Sequence, residues 1–180
     1  MYFTLAFETG ARTGELLALT WADYDGEALS ISKAIVRGEE TDTKTHQNRR
    51  VLLTRRAIDA LRDHTTRFKD SFIFLHKGAH FTSAYELNKE WKAALGEANI
   101  PYRRAYTCRH TYASLGLTAG AKPVCMAKQL GHSLNIFFDT YAKYMESQDD
   151  QRELREMERI QKLGKVGDGL PFPLSNVSTI

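Results

Sequence analysis

The stretch Ala28-Leu-Ser-Ile-Ser32 alternates apolar and polar residues, and Lys33-Ala-Ile-Val-Arg37 continues the alternation after a break. A period of two places one face of the chain on a core and the other in water, which is typical of a β-strand. Arg50-Val-Leu-Leu-Thr54 predicts another short strand, and the polar segment 38–49 before it predicts an extended basic hairpin. We therefore expect a small three-stranded antiparallel sheet near the N-terminus.

Helical patterns flank this sheet on both sides. Apolar residues at helical spacing predict helices over residues 2–7, 15–21, 57–68, 83–98, 107–120, 123–131 and 136–145. Gly10 and Gly131 are the predicted ends of two of them, since glycine readily adopts the left-handed conformation that ends a helix. Thr107 and Asn135 are predicted N-caps. The fold class is thus α+β and mainly helical.

The end of the chain differs in composition from the rest. A charged helix is predicted from Ser147 to Leu163, with an apolar side that needs a partner surface. The following segment, 164–180, is rich in glycine, proline and serine and is expected to be a flexible tail. We expect one domain over residues 1–163.

Composition limits the class of protein. The chain has 180 residues, of which 42% are hydrophobic and 26% charged, as in a single globular domain. No run approaches the roughly 20 apolar residues that cross a bilayer. The chain begins without a basic leader, and 2 cysteines are too few for a disulfide framework. We expect a cytoplasmic protein without a membrane partner.

The net charge of +3 hides an uneven distribution. No acidic residue lies between Glu97 and Asp139, and the segment 33–56 is rich in lysine and arginine, whereas acids are concentrated in 139–158. Basic segments on a nearly neutral chain favour a face that binds a polyanion. A solvated surface of mixed charge explains the pattern equally well.

Several kinds of chemistry are not indicated. The spacings of Cys108, His110, Cys125 and His132 match no standard zinc pairing, and there is no glycine-rich phosphate loop or nucleophilic triad. We expect no metal and no cofactor. Instead, polar side chains stand at predicted helix ends, where free backbone N–H groups favour an anion: Arg12, Arg109 and His132.

Four short motifs contain these residues. They are Thr9-Gly-Ala-Arg-Thr-Gly-Glu-Leu-Leu-Ala-Leu-Thr-Trp21, Thr43-Lys-Thr45, Tyr106-Thr-Cys-Arg-His-Thr-Tyr112, and Leu130-Gly-His-Ser133 followed by Asp139-Thr-Tyr141. In that order they resemble the first-arginine motif, the catalytic-lysine hairpin, the second-arginine box and the histidine–tyrosine pair of the tyrosine recombinases, the phage integrase family. The resemblance extends over residues 9 to about 145 and depends on the set rather than on any one motif.

The resemblance implies a role for each residue. Arg12 and Arg109 would bind the scissile phosphate, because a guanidinium group can donate two charge-assisted hydrogen bonds to phosphate oxygens. Lys44 would protonate the departing 5′ hydroxyl, and Tyr141 would attack to form a 3′-phosphotyrosyl link. His132 would donate to the phosphate or to Tyr141. Neither metal nor ATP would be required.

Each role has a simpler alternative. Arg12 could form a surface ion pair with Glu15, Arg109 could be a solvated helix residue, and His132 a satisfied helix-end residue. Lys44 could be a contact to the DNA backbone, and Lys33 competes with it as the acid. Tyr141 could belong to an aromatic core stripe with Phe137 and Tyr144, and Tyr144 is a rival nucleophile.

Two features depart from the family pattern. The family usually has a histidine three residues before the second arginine, where this chain has Tyr106; a phenol can donate a hydrogen bond to phosphate but does not shuttle protons near neutral pH. His110, beside Arg109, is expected to face elsewhere and not to substitute. The upstream helical domain of the family is absent, so we expect a catalytic domain alone, whose end helix docks in cis or in trans.

The function implied is that of a site-specific recombinase, or integrase, that cleaves and rejoins double-stranded DNA. We expect a homo-tetramer on paired DNA sites and a monomer or weak oligomer without DNA. The predicted DNA contacts are Arg49, Arg50, Arg103 and Arg104. Two alternatives stay open: a relaxing enzyme of the type IB topoisomerase kind, and a DNA-binding remnant that no longer cuts.

Overall fold

The structure, a computed structural model, describes residues 1–42, 48–67, 71–76, 78–81, 84–144, 154–155 and 157–160. By its internal contacts the chain divides into two units, Met1–Ala142 and Lys143–Ile180. In the second unit, residues 154–155 and 157–160 are helical. The predicted tail and most of the predicted end helix lie outside the described residues.

The first unit is mainly helical, as predicted. Its α-helices are α1 (Tyr2–Thr9), α2 (Thr13–Leu17), α3 (Arg55–Arg62), α4 (Ala84–Glu97), α5 (Thr107–Thr118), α6 (Pro123–Leu130) and α7 (Leu134–Tyr141). Short 3-10 helices cover Trp21–Asp23 and Ala142–Tyr144. Within the described ranges, no helix is long and apolar enough to cross a membrane.

The strands pair differently from the prediction. They are β1 (Ala28–Ile31), β2 (Lys33–Val36), β3 (Glu39–Asp42), β4 (Arg49–Leu52), β5 (Leu75–His76) and β6 (Ala79–His80). Instead of one three-stranded sheet, β1 pairs with β4 and β2 pairs with β3, and β5–β6 form a further hairpin, all antiparallel. Arg37 and Gly38 both have positive φ, 54° and 87°, as in a two-residue hairpin turn. That turn folds residues expected in a loop back onto β2 as β3.

Local signals account for several helix boundaries. Gly10 and Gly131 end α1 and α6 in the left-handed conformation, as predicted. The predicted caps differ: Ser133 rather than Asn135 caps α7 by accepting from the Ile136 N–H. Thr107 is the first residue of α5, not its cap, and the N-cap Tyr106 makes no side-chain capping bond.

The core brings the helix ends together. Leu5 of α1, Leu16 of α2 and Leu29 of β1 are completely buried in one apolar cluster. Helix α1 packs against α5, α3 and α2, and α6 packs against α5, α7 and β4. Gly14 lets α2 lie directly on β2, where a Cβ would come 2.5 Å from the Ile35 carbonyl oxygen. As a result, the C-terminal ends of α1 and α6 meet at the N-terminal end of α5.

Candidate active site

Arg109, in the first turn of α5, lies at the centre of this junction. Its Nη1 donates to the Gly10 carbonyl at 2.7 Å, and its Nη2 donates to the Leu130 carbonyl at 2.7 Å. Those carbonyls end α1 and α6, and helix C-termini carry partial negative charge that favours a cation. Only 1% of the residue is exposed. The fold therefore fixes this guanidinium rather than leaving it solvated on a helix face.

The charge of Arg109 is retained at neutral pH. Burial, and then the nearby positive charge of Arg12, lower the pKa of Arg109 to about 10. A group with that pKa is still protonated at pH 7. The site thus contains a buried, permanent cation whose remaining donors can bind an anion.

His132 lies against Arg109. The His132 Nε2 is 2.8 Å from Arg109 Nη2. Because a guanidinium only donates, Nε2 must accept and Nδ1 carries the proton of the neutral ring. Burial, followed by the charges of Arg109, Arg12 and Arg49, lowers the pKa of His132 to about 4. At neutral pH His132 is therefore an uncharged donor.

Two donors of this pair have no acceptor. Arg109 Nε and His132 Nδ1 are buried and have no hydrogen-bond partner within the part of the chain that the structure describes. Unpaired buried donors are rare in folded proteins because each costs the desolvation energy of a polar group. Two such donors next to a buried cation are suited to an anionic ligand.

Glu15 joins two more arginines to the site. It accepts from the backbone and the side chain of its N-cap Arg12, both at 2.8 Å. It also forms a bidentate salt bridge with Arg49, with distances of 3.0 Å from Nη1 to Oε1 and 2.6 Å from Nη2 to Oε2. Burial alone would raise the pKa of Glu15, but the hydrogen bonds and charge of Arg49, with those of Arg12, outweigh it and hold that pKa below its usual value. Arg12 therefore pairs with Glu15, as its simpler alternative predicted, but the carboxylate is buried and the pair is not a surface one.

Arg49 and Arg50 occupy opposite sides of β4. The Arg49 side chain is 6% exposed, and its Nε donates to the Gln129 carbonyl at 3.0 Å, close to the end of α6. The Arg50 side chain is 51% exposed and pairs with Asp25. Both were predicted to contact DNA; the structure places Arg50 on the surface and Arg49 in the interior, where it links Glu15 to α6.

Tyr141 is the last residue of α7 and is 1% exposed. Its ring lies 6.3 Å from the His132 ring at an angle of 23°, and 5.0 Å from Phe137. Of the aromatic core stripe proposed as the simpler alternative, Phe137 and Tyr141 are buried together whereas Tyr144 is exposed, and the same packing puts Tyr141 beside His132. The sequence-predicted Arg12, Arg109, His132 and Tyr141 are thus gathered in one region.

The phenol of Tyr141 has a partner that was not predicted. Its Oη lies 3.1 Å from His110 Nδ1, within hydrogen-bond distance. His110 was expected to face away from the site, and that expectation is wrong. No sequence signal indicated this contact, since it crosses 31 positions and depends on how the end of α7 packs near the residue after Arg109.

The remaining predicted residues lie at the periphery. Tyr106 is 45% exposed, and its ring meets that of His110 edge-on at 5.3 Å. Arg103 and Arg104 are exposed in the segment before α5. The Trp91 Nε1 donates to the Arg103 carbonyl and anchors that segment. Lys44 lies outside the described residues, as does the rest of its motif. Among the residues that are described, no group of His, Cys, Asp and Glu could hold a metal ion.

Comparison with known proteins identifies the class. A family model described as the phage integrase family matches residues 1–149, and the chain belongs to this family. IntQ of Escherichia coli K12, a protein named as defective, is 32% identical over 79% of this chain and 44% of its own length. A protein of Caldanaerobacter subterraneus named "Tyrosine recombinase XerC-like" is 30% identical over 81% of this chain and 46% of its own length.

A solved structure supports the fold. The Tn1549 transposon integrase in complex with a circular intermediate DNA matches with a TM-score of 0.73 and 19% identity, over 87% of this chain and 57% of that one. At this identity the likeness establishes the fold of a tyrosine recombinase. The chain spans less than half the length of the two curated relatives.

Proposed function

We propose that the chain is the catalytic domain of a site-specific DNA recombinase, and that Tyr141 cleaves double-stranded DNA through a covalent 3′-phosphotyrosyl intermediate. The observation that carries this proposal is the pair Arg109 and His132. Each contributes a buried donor that has no partner among the described residues, which suits an anion, and the His132 ring lies 6.3 Å from the Tyr141 ring. A DNA phosphate is an anion with the acceptors that these donors need.

The step proposed conserves atoms and bonds. The Tyr141 oxygen forms a bond to phosphorus while the bond from phosphorus to the 5′ oxygen breaks. The departing oxygen takes a proton, a role we assign to Lys44. One phosphoester bond replaces another, so the energy needed for rejoining is stored in the link, and neither ATP nor metal is part of the scheme.

The positive cluster would stabilise the transition state. Attack on a phosphodiester spreads additional charge over its non-bridging oxygens. Arg109, fixed by two helix ends, and Arg12, fixed by Glu15, would meet that charge without reorganisation. Removal of one preorganised donor of this kind typically slows a reaction on the order of 10²–10³-fold.

Exposed arginines supply a surface for the DNA backbone. Arg50, Arg103 and Arg104 are solvent-accessible, and Arg103 and Arg104 lie directly ahead of the helix that carries Arg109. We assign them phosphate contacts that position the duplex without reading its sequence. Strand exchange would need four active sites on two paired duplexes, hence a homo-tetramer on DNA in the cytoplasm. Relaxing one duplex, as a type IB topoisomerase does, needs one site.

A non-cleaving DNA-binding remnant is the second candidate. It is favoured by Tyr106 in place of the usual histidine, and by the similarity to IntQ, whose name describes a defective protein. The arrangement of Arg109, His132 and Tyr141 favours the active enzyme, because a remnant needs no buried donors beside a tyrosine.

Trapping of a covalent adduct decides between the two. The chain is incubated with a pool of nicked duplexes with randomised centres, in which the broken strand releases a short fragment and prevents rejoining. Adducts that resist denaturant are recovered, and their sequences define a duplex for quantitative work. We expect an adduct for the wild type and for Tyr144→Phe, and none for Tyr141→Phe. Absence of any wild-type adduct would favour the remnant, and an adduct in Tyr141→Phe would exclude Tyr141 as the nucleophile.

A further inference from the structure

We propose that His110 is the general base that removes the phenolic proton of Tyr141, an inference that rests on the proposed function. A phenol has a pKa of about 10 and is ionised in roughly one molecule per thousand at neutral pH. Nucleophilic attack by a tyrosine therefore gains from a base within hydrogen-bond reach, roughly 2.6–3.2 Å. The Nδ1 of His110 lies 3.1 Å from the Tyr141 Oη.

His132 is not available for this task, although its ring is also close. Its Nε2 lone pair already accepts from Arg109 at 2.8 Å, so its other nitrogen carries the proton. Taking a second proton would create a cation against the buried Arg109. Glu15 is likewise committed, since Arg12 and Arg49 bind both of its oxygens.

His110 has the surroundings that a base needs. The residue is exposed, so the imidazolium formed by proton transfer is solvated rather than buried. The His110 ring contacts two titratable side chains, Tyr106 at the N-terminus of α5 and Tyr141 of α7. Tyr106 meets the ring edge-on at 5.3 Å and restrains its orientation. The imidazole of His110, which contacts the Tyr106 ring, can thus accept a proton, whereas the phenol of Tyr106 cannot.

The proton transfer fits the proposed reaction in both directions. Tyr141 O–H donates to Nδ1, the proton moves to Nδ1, and the Tyr141 oxygen forms its bond to phosphorus as the 5′ oxygen departs. In rejoining, the 5′ hydroxyl attacks phosphorus and returns its proton to the group that supplied it, assigned above to Lys44, while the bond to Tyr141 breaks and the imidazolium returns its proton to the phenolate. No oxidant, metal or further reactant takes part.

The test uses two variants of His110. His110→Ala removes the imidazole, and His110→Asn keeps an acceptor near the Nδ1 position that cannot take up a proton. Single-turnover adduct formation is measured with the nicked duplex recovered from the randomised pool, and DNA affinity is measured separately. We expect both variants to bind DNA like the wild type and to form the adduct about 10²–10⁴-fold more slowly.

Added imidazole distinguishes a base from a structural residue. Free imidazole should enter the space left in His110→Ala and accelerate its adduct formation at least tenfold, with no effect on the wild type or on His76→Ala, a histidine in the β5–β6 hairpin. Wild-type rates in His110→Asn, or a slow His110→Ala that imidazole does not accelerate, would overturn the assignment. If the wild type itself forms no adduct, the proposed function fails instead.

Discussion

At the residue scale, two adjacent arginines on β4 provide a matched comparison. Arg49 is bound by buried Glu15, and Arg50 faces solvent. Removing one partner of a buried ion pair leaves an uncompensated charge. We expect Arg49→Met to lower the free energy of unfolding by about 3 kcal/mol, the lower end of the usual range because Glu15 keeps Arg12. Denaturant unfolding measures this value.

Arg50→Met is the control for that substitution. Its pair with Asp25 is exposed, so unfolding should change little, whereas DNA affinity should fall at low salt. Adding Glu15→Gln to Arg49→Met should recover part of the lost stability, since it removes the buried negative charge that Arg49 no longer compensates. Equal destabilisation by the two arginine substitutions would contradict the interior position of Arg49.

His132 predicts a pH dependence of stability. Its pKa is about 4 in the folded chain and 6.5 as an ordinary value. Between these values the unfolded chain binds a proton that the folded chain does not, so stability is lost as pH falls from 6.5 towards 4. We expect the wild type to lose stability relative to His132→Gln over this window, with a constant difference above it. A wild type that gains stability relative to His132→Gln on acidification would contradict the neutral His132.

The sequence could identify candidate side chains by residue type and motif, but it could not identify the partners that lie far away along the chain. Glu15 was visible only as a neighbour of Arg12, three residues away. Its pairing with Arg49 crosses 34 positions and depends on how β4 packs beside α2. The contact between His110 and Tyr141 crosses 31 positions and depends likewise on how α7 lies beside α5. Long-range partners depend on packing geometry that local spacing does not contain.

At the element scale, two of the helical glycines, Gly14 and Gly96, have opposite surroundings. A Cβ on Gly14 would lie 2.5 Å from the Ile35 carbonyl oxygen, whereas one on Gly96 would meet nothing within 4 Å. We expect Gly14→Ala to destabilise the fold by about 1–3 kcal/mol, because α2 must move off β2. Gly96→Ala should stabilise it by about 0.5–1 kcal/mol, because alanine favours a helix. Thermal or denaturant unfolding compares them.

The same pair of substitutions bears on activity. Because α2 presents Arg12, its displacement in Gly14→Ala should also slow adduct formation, whereas Gly96→Ala should leave it unchanged. A stabilising effect of Gly14→Ala would show that α2 does not lie against β2.

Element boundaries were predictable where one residue determines them. Gly10 and Gly131 end their helices because a left-handed residue suits glycine, and this holds without knowledge of the rest of the fold. The cap of α7 was misplaced because Ser133 and Asn135 are equally good caps by type. Strand pairing was also missed, since β1–β4 and β2–β3 form separate pairs instead of the predicted three-stranded sheet.

At the scale of the whole molecule, the net charge of +3 is small for the DNA-binding role that we propose. The distribution of the positive charges is compatible with the proposed DNA binding. Arg103 and Arg104 are adjacent and exposed, whereas Arg49 is neutralised by buried Glu15. Loss of two phosphate contacts should reduce the slope of log affinity against log salt by about 1.8. We expect this change for Arg103→Ala combined with Arg104→Ala.

A control with the same net charge separates position from total charge. Arg55 and Arg62 of α3 are exposed and pair with Asp59. Arg55→Ala combined with Arg62→Ala should leave the salt slope near the wild-type value. The same reduction for both double variants would mean that DNA binding follows overall charge and not a defined face.

In the mechanism that we propose, Tyr141 attacks a DNA phosphate held by Arg109 and His132. The most direct test of this mechanism is to locate the covalent bond itself: the denaturant-resistant adduct is trimmed with nuclease, digested with protease and sequenced by mass spectrometry. We expect a nucleotide attached through its 3′ phosphate to Tyr141. A nucleotide on Tyr144, on Tyr106 or on any other side chain would contradict this mechanism.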